Sequence, residues 1–167
     1  AGDRFLNLFA RLQAVFPLVP LAGAGARFQP VWVEDVASAV VASLRDDSSL
    51  PMSSVGQTFE CAGPDVLTLA ELVRIAGRHG SRQRPVLPLP AALARLQARV
   101  MELMPGEPLM SRDNLDSMSV DNVATSQWPG LASLGIAAAS VHTVAPTYLG
   151  QRGGRSQLLG YRHEAGR

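Results

Sequence analysis

The sequence predicts an α/β fold, and three observations carry that prediction. Phe5, Leu8, Phe9, Leu12 and Phe16 recur at spacings of three and four, which draws one apolar stripe along a helix. Arg27 to Val33 reads as a strand that runs straight into a helix opened by Glu34 and Asp35. "TLAE", Thr68 to Glu71, is a capping box that opens another helix.

Taken in order, Asp3 is placed to cap the first helix, which the stripe carries to about Phe16. "PLVPL" is extended, and "AGAGA" is a turn of small residues. After the Arg27–Val33 strand, acids at 34 and 35 suit a helix N-terminus, where amides are exposed and the dipole is positive. That makes Asp35 a helix-start residue that accepts amide hydrogen bonds. The helix carries Val36, Val40, Val41 and Leu44, with small residues between them for close packing. The polar run Arg45 to Ser54 is the best domain boundary. "QTFECAG" reads as a strand, which makes Cys61 a buried, inert thiol. The helix opened by the capping box runs to about His79 and stops at Gly80. "RPVLPLP" is extended, and Pro90 suits the first helical position. Leu93, Leu96, Val100 and Leu103 then share a face, with Arg95 and Arg99 on another, until "PGEP" breaks the helix. Ser111 is placed to cap a short helix, and Ser140 the last one.

Composition excludes several functions. Apolar residues are 47% and charged residues 17%, enough for a core and against disorder throughout. A net charge of +1 does not mark a dedicated nucleic-acid binder. One cysteine forbids an internal disulfide framework. All fifteen basic residues are Arg, so no Schiff base, P-loop lysine or Tyr-x-x-x-Lys pair can come from this chain. The run Val15 to Ala26 is too short and too rich in proline to span a bilayer. The tail 150–167 carries +3 and the other 149 residues −2, so it reads as a flexible basic tail.

The usual site motifs are weak. "GAGARF" has glycines followed by a strand, whereas a dinucleotide loop needs a strand before the glycines and a helix after them. His79, His142 and His163 are far apart with no ligand spacing, so no metal is expected. No G-x-S-x-G elbow is present.

"FQPVWVEDVASAVVASL" resembles the late segment of extended and atypical short-chain dehydrogenases, the NAD-dependent epimerase/dehydratase superfamily, in which an aromatic-x-x-V-x-V-x-D-V-A run precedes a helix. "GQTFECAGPDVLTLAELVRIAGRHG" and "LASLGIAAASVHTVAPTYL" are similar to that superfamily's later strand, capped helix and closing turn. "RPVLPLPAALARLQARVMELMPGEPLMSRDNLDSMSVDNVA", above all its "PGEPLMSRDNLDSM" piece, looks most like bacterial relatives of the NAD(P)H-binding accessory subunit of respiratory complex I. The resemblance covers about residues 3 to 149.

It implies the C-terminal portion of a Rossmann-like, doubly wound domain with a small α/β domain on the substrate side. Residues 1–45 would be the last Rossmann segments, 46–149 the small domain, and the first βαβ units would be missing. The glycine fingerprint and the Tyr-x-x-x-Lys pair would precede Ala1, so no catalytic residue is assigned and catalysis is left open. The resemblance further implies NAD or NADP in the full-length protein, with no tight binding to this chain alone. Expected partners are the N-terminal half of the same protein and a quinone-like or phosphorylated small molecule, with association at the respiratory chain or a membrane surface and no nucleic acid. The expected location is cytoplasmic, peripheral to the inner membrane. Arg27 and Arg112 match positions where related epimerases meet a phosphorylated substrate, and Gln29 and Trp32 share the Arg27 strand and are placed to line the cleft. A nucleotide-sugar epimerase or dehydratase, and a non-catalytic interaction module, are the alternatives.

Overall fold

A computed structural model describes residues 3–45, 52–80, 82–102 and 112–149. It is a mixed α/β fold: α1 (Phe5–Val15), β1 (Val19–Leu21), β2 (Arg27–Phe28), α2 (Val33–Leu44), β3 (Leu67–Thr68), α3 (Leu69–His79), β4 (Val86–Pro88), α4 (Ala91–Glu102), α5 (Arg112–Ser117) and α6 (Val141–Tyr148). β1 and β4 pair in parallel, Val19 with Val86 and Leu21 with Pro88, while β2 and β3 pair antiparallel, Arg27 with Thr68 and Phe28 with Leu67. The cap expected at Ser111, the residue Leu103, most of the 45–54 boundary loop and the basic tail lie outside the described residues.

The expected caps form. Asp3 takes the amides of Phe5 (2.9 Å) and Leu6 (3.1 Å), which makes it the working cap of α1 although regular helix geometry begins two residues later. Thr68 and Glu71 complete both halves of the capping box on α3, and Gly80 ends that helix. Ser140 Oγ accepts the amide of His142 to start α6.

The core lies where α1, α3 and α6 meet over β1. Leu69, Leu72, Val73 and Ala76 of α3 are buried there with Leu6, Phe9, Leu21, Val141 and Ala145. Each fully buried Leu or Val contributes about 1.5–3 kcal/mol relative to exposure. A second, smaller cluster sets Ala39 of α2 against Leu131 and Leu134 of a 3-10 turn, which Gly135 ends at a positive φ of 73°.

Several expected faces are corrected. α1 packs through Leu6, Phe9 and the fully buried Gln13, while Phe5 and Phe16 are exposed. The rotation is possible because Gly77 of α3 has no side chain, which lets Gln13 sit in the seam. The Arg27–Val33 strand stops at Phe28. Pro30 has no amide to continue a ladder, and Gln29 spends its side chain on other partners. "QTFECAG" is not a strand: one bridge joins Glu60 to Gly130, and Cys61 is exposed rather than buried. In α2 the valines at 40 and 41 and Leu44 are exposed, and only Asp35 and Ala39 are buried. In α4 Leu93, Leu96 and Val100 are exposed, whereas Ala94 and Ala98 are buried.

Candidate functional site

A cleft of about 710 Å³ opens between the N-terminus of α1, the segment from Phe28 to Val33, and α6. Its walls are mostly apolar: Phe5, Leu6, Phe28, Trp32, Leu72, Val141 and Val144 contribute, with Gln29, Asn122, Asp3 and Tyr148 as polar points. Among the described residues no Arg or His lines it.

The Phe28–Val33 wall is positioned from the backbone up. β2 is held by β3 on one side and by Asn122 on the other: the Asn122 amide donates to Arg27 O (2.8 Å), and the Gln29 amide donates to Asn122 O (3.0 Å). The Gln29 side chain then joins two loops, donating through Nε2 to Gly63 O (2.8 Å) and accepting the Ala124 amide at Oε1 (2.9 Å). Gly63 is needed at this contact, since a Cβ there would lie 1.9 Å from Pro30 O. Trp32 ends the wall, and its carbonyl accepts the first amides of α2, from Asp35 and Val36.

The opposite wall is hung on carboxylates. Asp35 Oδ2 accepts the Ala139 amide at 2.8 Å, so this residue serves a segment 104 positions away rather than its own helix end. Its expected role as an acceptor of amides holds, but the expected partner is corrected: as the third residue of α2, it points its side chain into the body of the fold, where it is buried. Asp65 accepts the Ser140 hydroxyl (2.6 Å) and the Val141 amide (2.8 Å), which fixes the start of α6. At the other end of that helix the Tyr148 hydroxyl donates to Asp3 Oδ2 at 3.0 Å. Burial, and then the neighbouring Asp3 charge and hydrogen bond, push the Tyr148 phenol well above its ordinary pKa, so it stays a neutral donor.

The expected site residues therefore separate. Gln29 and Trp32 come together on the cleft. Arg27 does not reach it: its Nε (2.9 Å) and terminal amino group (2.7 Å) both engage Asp121 Oδ2. That guanidinium holds the Asp121 carboxyl below the usual carboxylate range. Arg112 opens α5, and its side chain lies outside the described residues, so its expected place at the cleft is left as an expectation. Tyr148 and Asn122 are cleft residues that the sequence did not single out, and Asp3 was read only as a helix cap, because no local pattern marks a residue whose partner lies far along the chain. Among the described residues no group of His, Cys, Asp and Glu could hold a metal ion.

Comparison with known proteins gives this geometry a context. No protein-family model matches the chain. It is 33% identical over 132 residues to NADH dehydrogenase [ubiquinone] 1 alpha subcomplex subunit 9, mitochondrial, of Arabidopsis thaliana, covering 74% of this chain and 32% of that protein. The Mus musculus subunit of the same name is 32% identical over 80% of the chain and 34% of its own length. The chain is homologous to these subunits. The NADH-ubiquinone oxidoreductase 40 kDa subunit of Neurospora crassa, 27% identical over 88% of the chain and 37% of that subunit, extends the relation to a fungus. These three relatives are eukaryotic, whereas the resemblance in the sequence pointed to bacterial ones. The chain spans about a third of the length of the curated relatives it matches. Among the described residues no helix is long and apolar enough to cross a membrane.

Proposed function

We propose that this chain is the C-terminal part of an NAD(P)-binding, atypical short-chain-dehydrogenase-like accessory subunit of an NADH–quinone oxidoreductase, and that its cleft forms the second-ligand side of that protein. In this reading residues 1–45 finish a Rossmann-like domain and residues 46–149 form the small domain beside it. The observation that carries the reading is the homology to the alpha subcomplex subunit 9 proteins across about three quarters of the chain. The nicotinamide cofactor would be held by the glycine-rich loop of the remaining part, because this chain supplies no strand–glycine–helix turn. The partners in this reading are that remaining part and other respiratory-chain subunits, at the membrane periphery.

The lining favours an uncharged, largely apolar second ligand of the quinone type over a phosphorylated one. A phosphate needs guanidinium or ammonium partners. Among the described residues the cleft has none, and Arg27 is already paired with Asp121. Trp32 and Phe28 would stack on a flat ring, while Gln29, with both ends of its amide engaged, would keep the wall in shape. If the epimerase reading were right instead, Arg27 and Arg112 would be the substrate's phosphate partners.

Trp32 supplies the test. In a Trp128→Phe background, so that Trp32 reports alone, the intact protein should show saturable quenching by a short-chain ubiquinone and none by a nucleotide sugar. Trp32→Ala should then weaken quinone binding, measured by calorimetry, by about tenfold or more. Tighter binding of the nucleotide sugar, abolished by Arg27→Leu, would refute the quinone reading and favour the epimerase one.

A further inference from the structure

At the end of the cleft where α1 and α6 meet, the polar groups are of one kind. Asp3 and Tyr148 both line the cleft and both are partly buried. The Tyr148 hydroxyl gives its single proton to Asp3 Oδ2 at 3.0 Å. Oδ2 also accepts the Leu6 amide (3.1 Å) and Oδ1 the Phe5 amide (2.9 Å), so three donors hold the carboxylate in place. A carboxylate has no proton to give, and a phenol has one. This end is therefore left with acceptors: the lone pairs of Tyr148 Oη, to which nothing donates among the described residues, and what remains of Asp3 Oδ1.

The facing wall makes no such choice. Asn122 carries an amide that both donates and accepts, so a ring oxygen of either kind can be met there. Gln29 is committed to Gly63 and Ala124, and the apolar lining offers a bond to neither kind.

We propose that the cleft takes the reduced, hydroxyl-bearing form of a quinone-type ring in preference to the oxidised form, and that Tyr148 is the residue that discriminates between them. A hydroquinone O–H donates to Tyr148 Oη and extends the chain of bonds already running to Asp3, each bond polarising the next. A quinone carbonyl only accepts. To be met at this end it must draw the Tyr148 proton away from Asp3, which gives up a charge-assisted bond for a neutral one. A site built around a ligand hydroxyl rejects the analogue that lacks it, because its own polar groups then go without their bond. This preference rests on the reading of the cleft as a quinone-type site, and adds to it the oxidation state that is held.

Anaerobic calorimetry on the intact protein, with no nicotinamide added so that neither form is converted, compares a short-chain ubiquinol with the matching ubiquinone. The quinol should bind about tenfold more tightly, the worth of one hydrogen bond. Tyr148→Phe keeps the aromatic ring and removes the acceptor. It should weaken the quinol by about tenfold and leave the quinone nearly unchanged, so that the gap closes. A purely structural role for Tyr148 would move both affinities together. Thermal melting would verify that the variant folds, and the ratio in the unsubstituted protein stands as a test without it. Equal affinities, or a preference for the quinone, overturn the proposal and leave the quinone-type reading in place. A Tyr148→Phe protein that keeps the full preference, or loses both ligands alike, overturns the role given to Tyr148. If neither form binds, the quinone-type reading itself fails, and the preference falls with it.

Discussion

The seam between α1 and α3 offers a prediction whose sign depends on one amide. Gln13 is completely buried, donates through Nε2 to Val73 O at 2.7 Å, and accepts the Arg84 amide at Oε1 (3.0 Å). A Cβ on Gly77 would lie 2.2 Å from that Oε1 and 2.8 Å from Nε2. In a free helix Gly→Ala gains about 1 kcal/mol. Here the methyl meets an amide that can move only by breaking bonds at both ends. Each bond is worth about 1 kcal/mol net, and a stranded buried partner costs about 1–3. Gly77→Ala should therefore destabilise by about 1–3 kcal/mol in spite of propensity. Gln13→Ala should cost about 2–4 kcal/mol through three lost bonds, the third a longer one from Nε2 to Phe9 O (3.3 Å), and a void. With Gln13 already truncated, the obstacle is gone, and adding Gly77→Ala should be neutral or stabilising by up to about 1 kcal/mol. Urea unfolding followed by circular dichroism on the four proteins would give a coupling energy of about 2 kcal/mol. If Gly77→Ala has the same effect in both backgrounds, within about 0.5 kcal/mol, the Gln13 amide does not fill that space and the reasoning fails.

Other consequences can be measured in the same way. Asp35→Ala strands the Ala139 amide and should cost about 1–3 kcal/mol, with Asp35→Asn losing less because an acceptor remains; an unchanged urea midpoint for Asp35→Ala would exclude the tertiary role. Gly63→Ala drives a Cβ into the backbone oxygen of Pro30, so it should cost about 3 kcal/mol or block folding; a variant as stable as the parent by thermal melting would contradict that contact. Glu60 is held below its ordinary range by the Thr125 hydroxyl and amide, Glu71 by the Thr68 amide and hydroxyl, and Asp121 by Arg27. Folded values below unfolded ones mean stability that is full above about pH 4.5 and lost as pH falls through the depressed values. A urea midpoint that stays flat on acidification to about pH 3 would show that these bonds do not favour the charged carboxylates. Tyr148 runs the other way: its raised value gives stability that is present below about pH 10 and lost as pH rises beyond it, and Tyr148→Phe should flatten that alkaline limb.

Local chemistry was readable in the sequence wherever the partner was near. The Asp3, Thr68–Glu71 and Ser140 caps, and the stop at Gly80, each depend on residues within four positions, and all four form. Periodicity gave the helices but not their buried faces. α1 turns on the space left by Gly77, far along the chain, and α4 buries alanines because its leucines face outward. The "QTFECAG" stretch has strand-like residues, yet its Glu60 carboxylate is drawn to Thr125 and Ser126, leaving a single bridge to Gly130. In the cleft, Gln29 and Trp32 were legible because both lie on the segment leading into α2. Tyr148 was not, because its meaning comes from Asp3 at the other end of the fold.

The bond from Tyr148 to Asp3 joins residues 145 positions apart. Closing a loop of that length costs roughly 4 kcal/mol of chain entropy, several times what one hydrogen bond returns. The contact cannot gather the chain by itself. It can close only after α1 has settled on α3 and α3 has received α6, so the cleft is the last part of the fold to take shape. It follows that a ligand seated there would bind the finished topology and no earlier stage, and would slow the opening of the chain more than it speeds its folding.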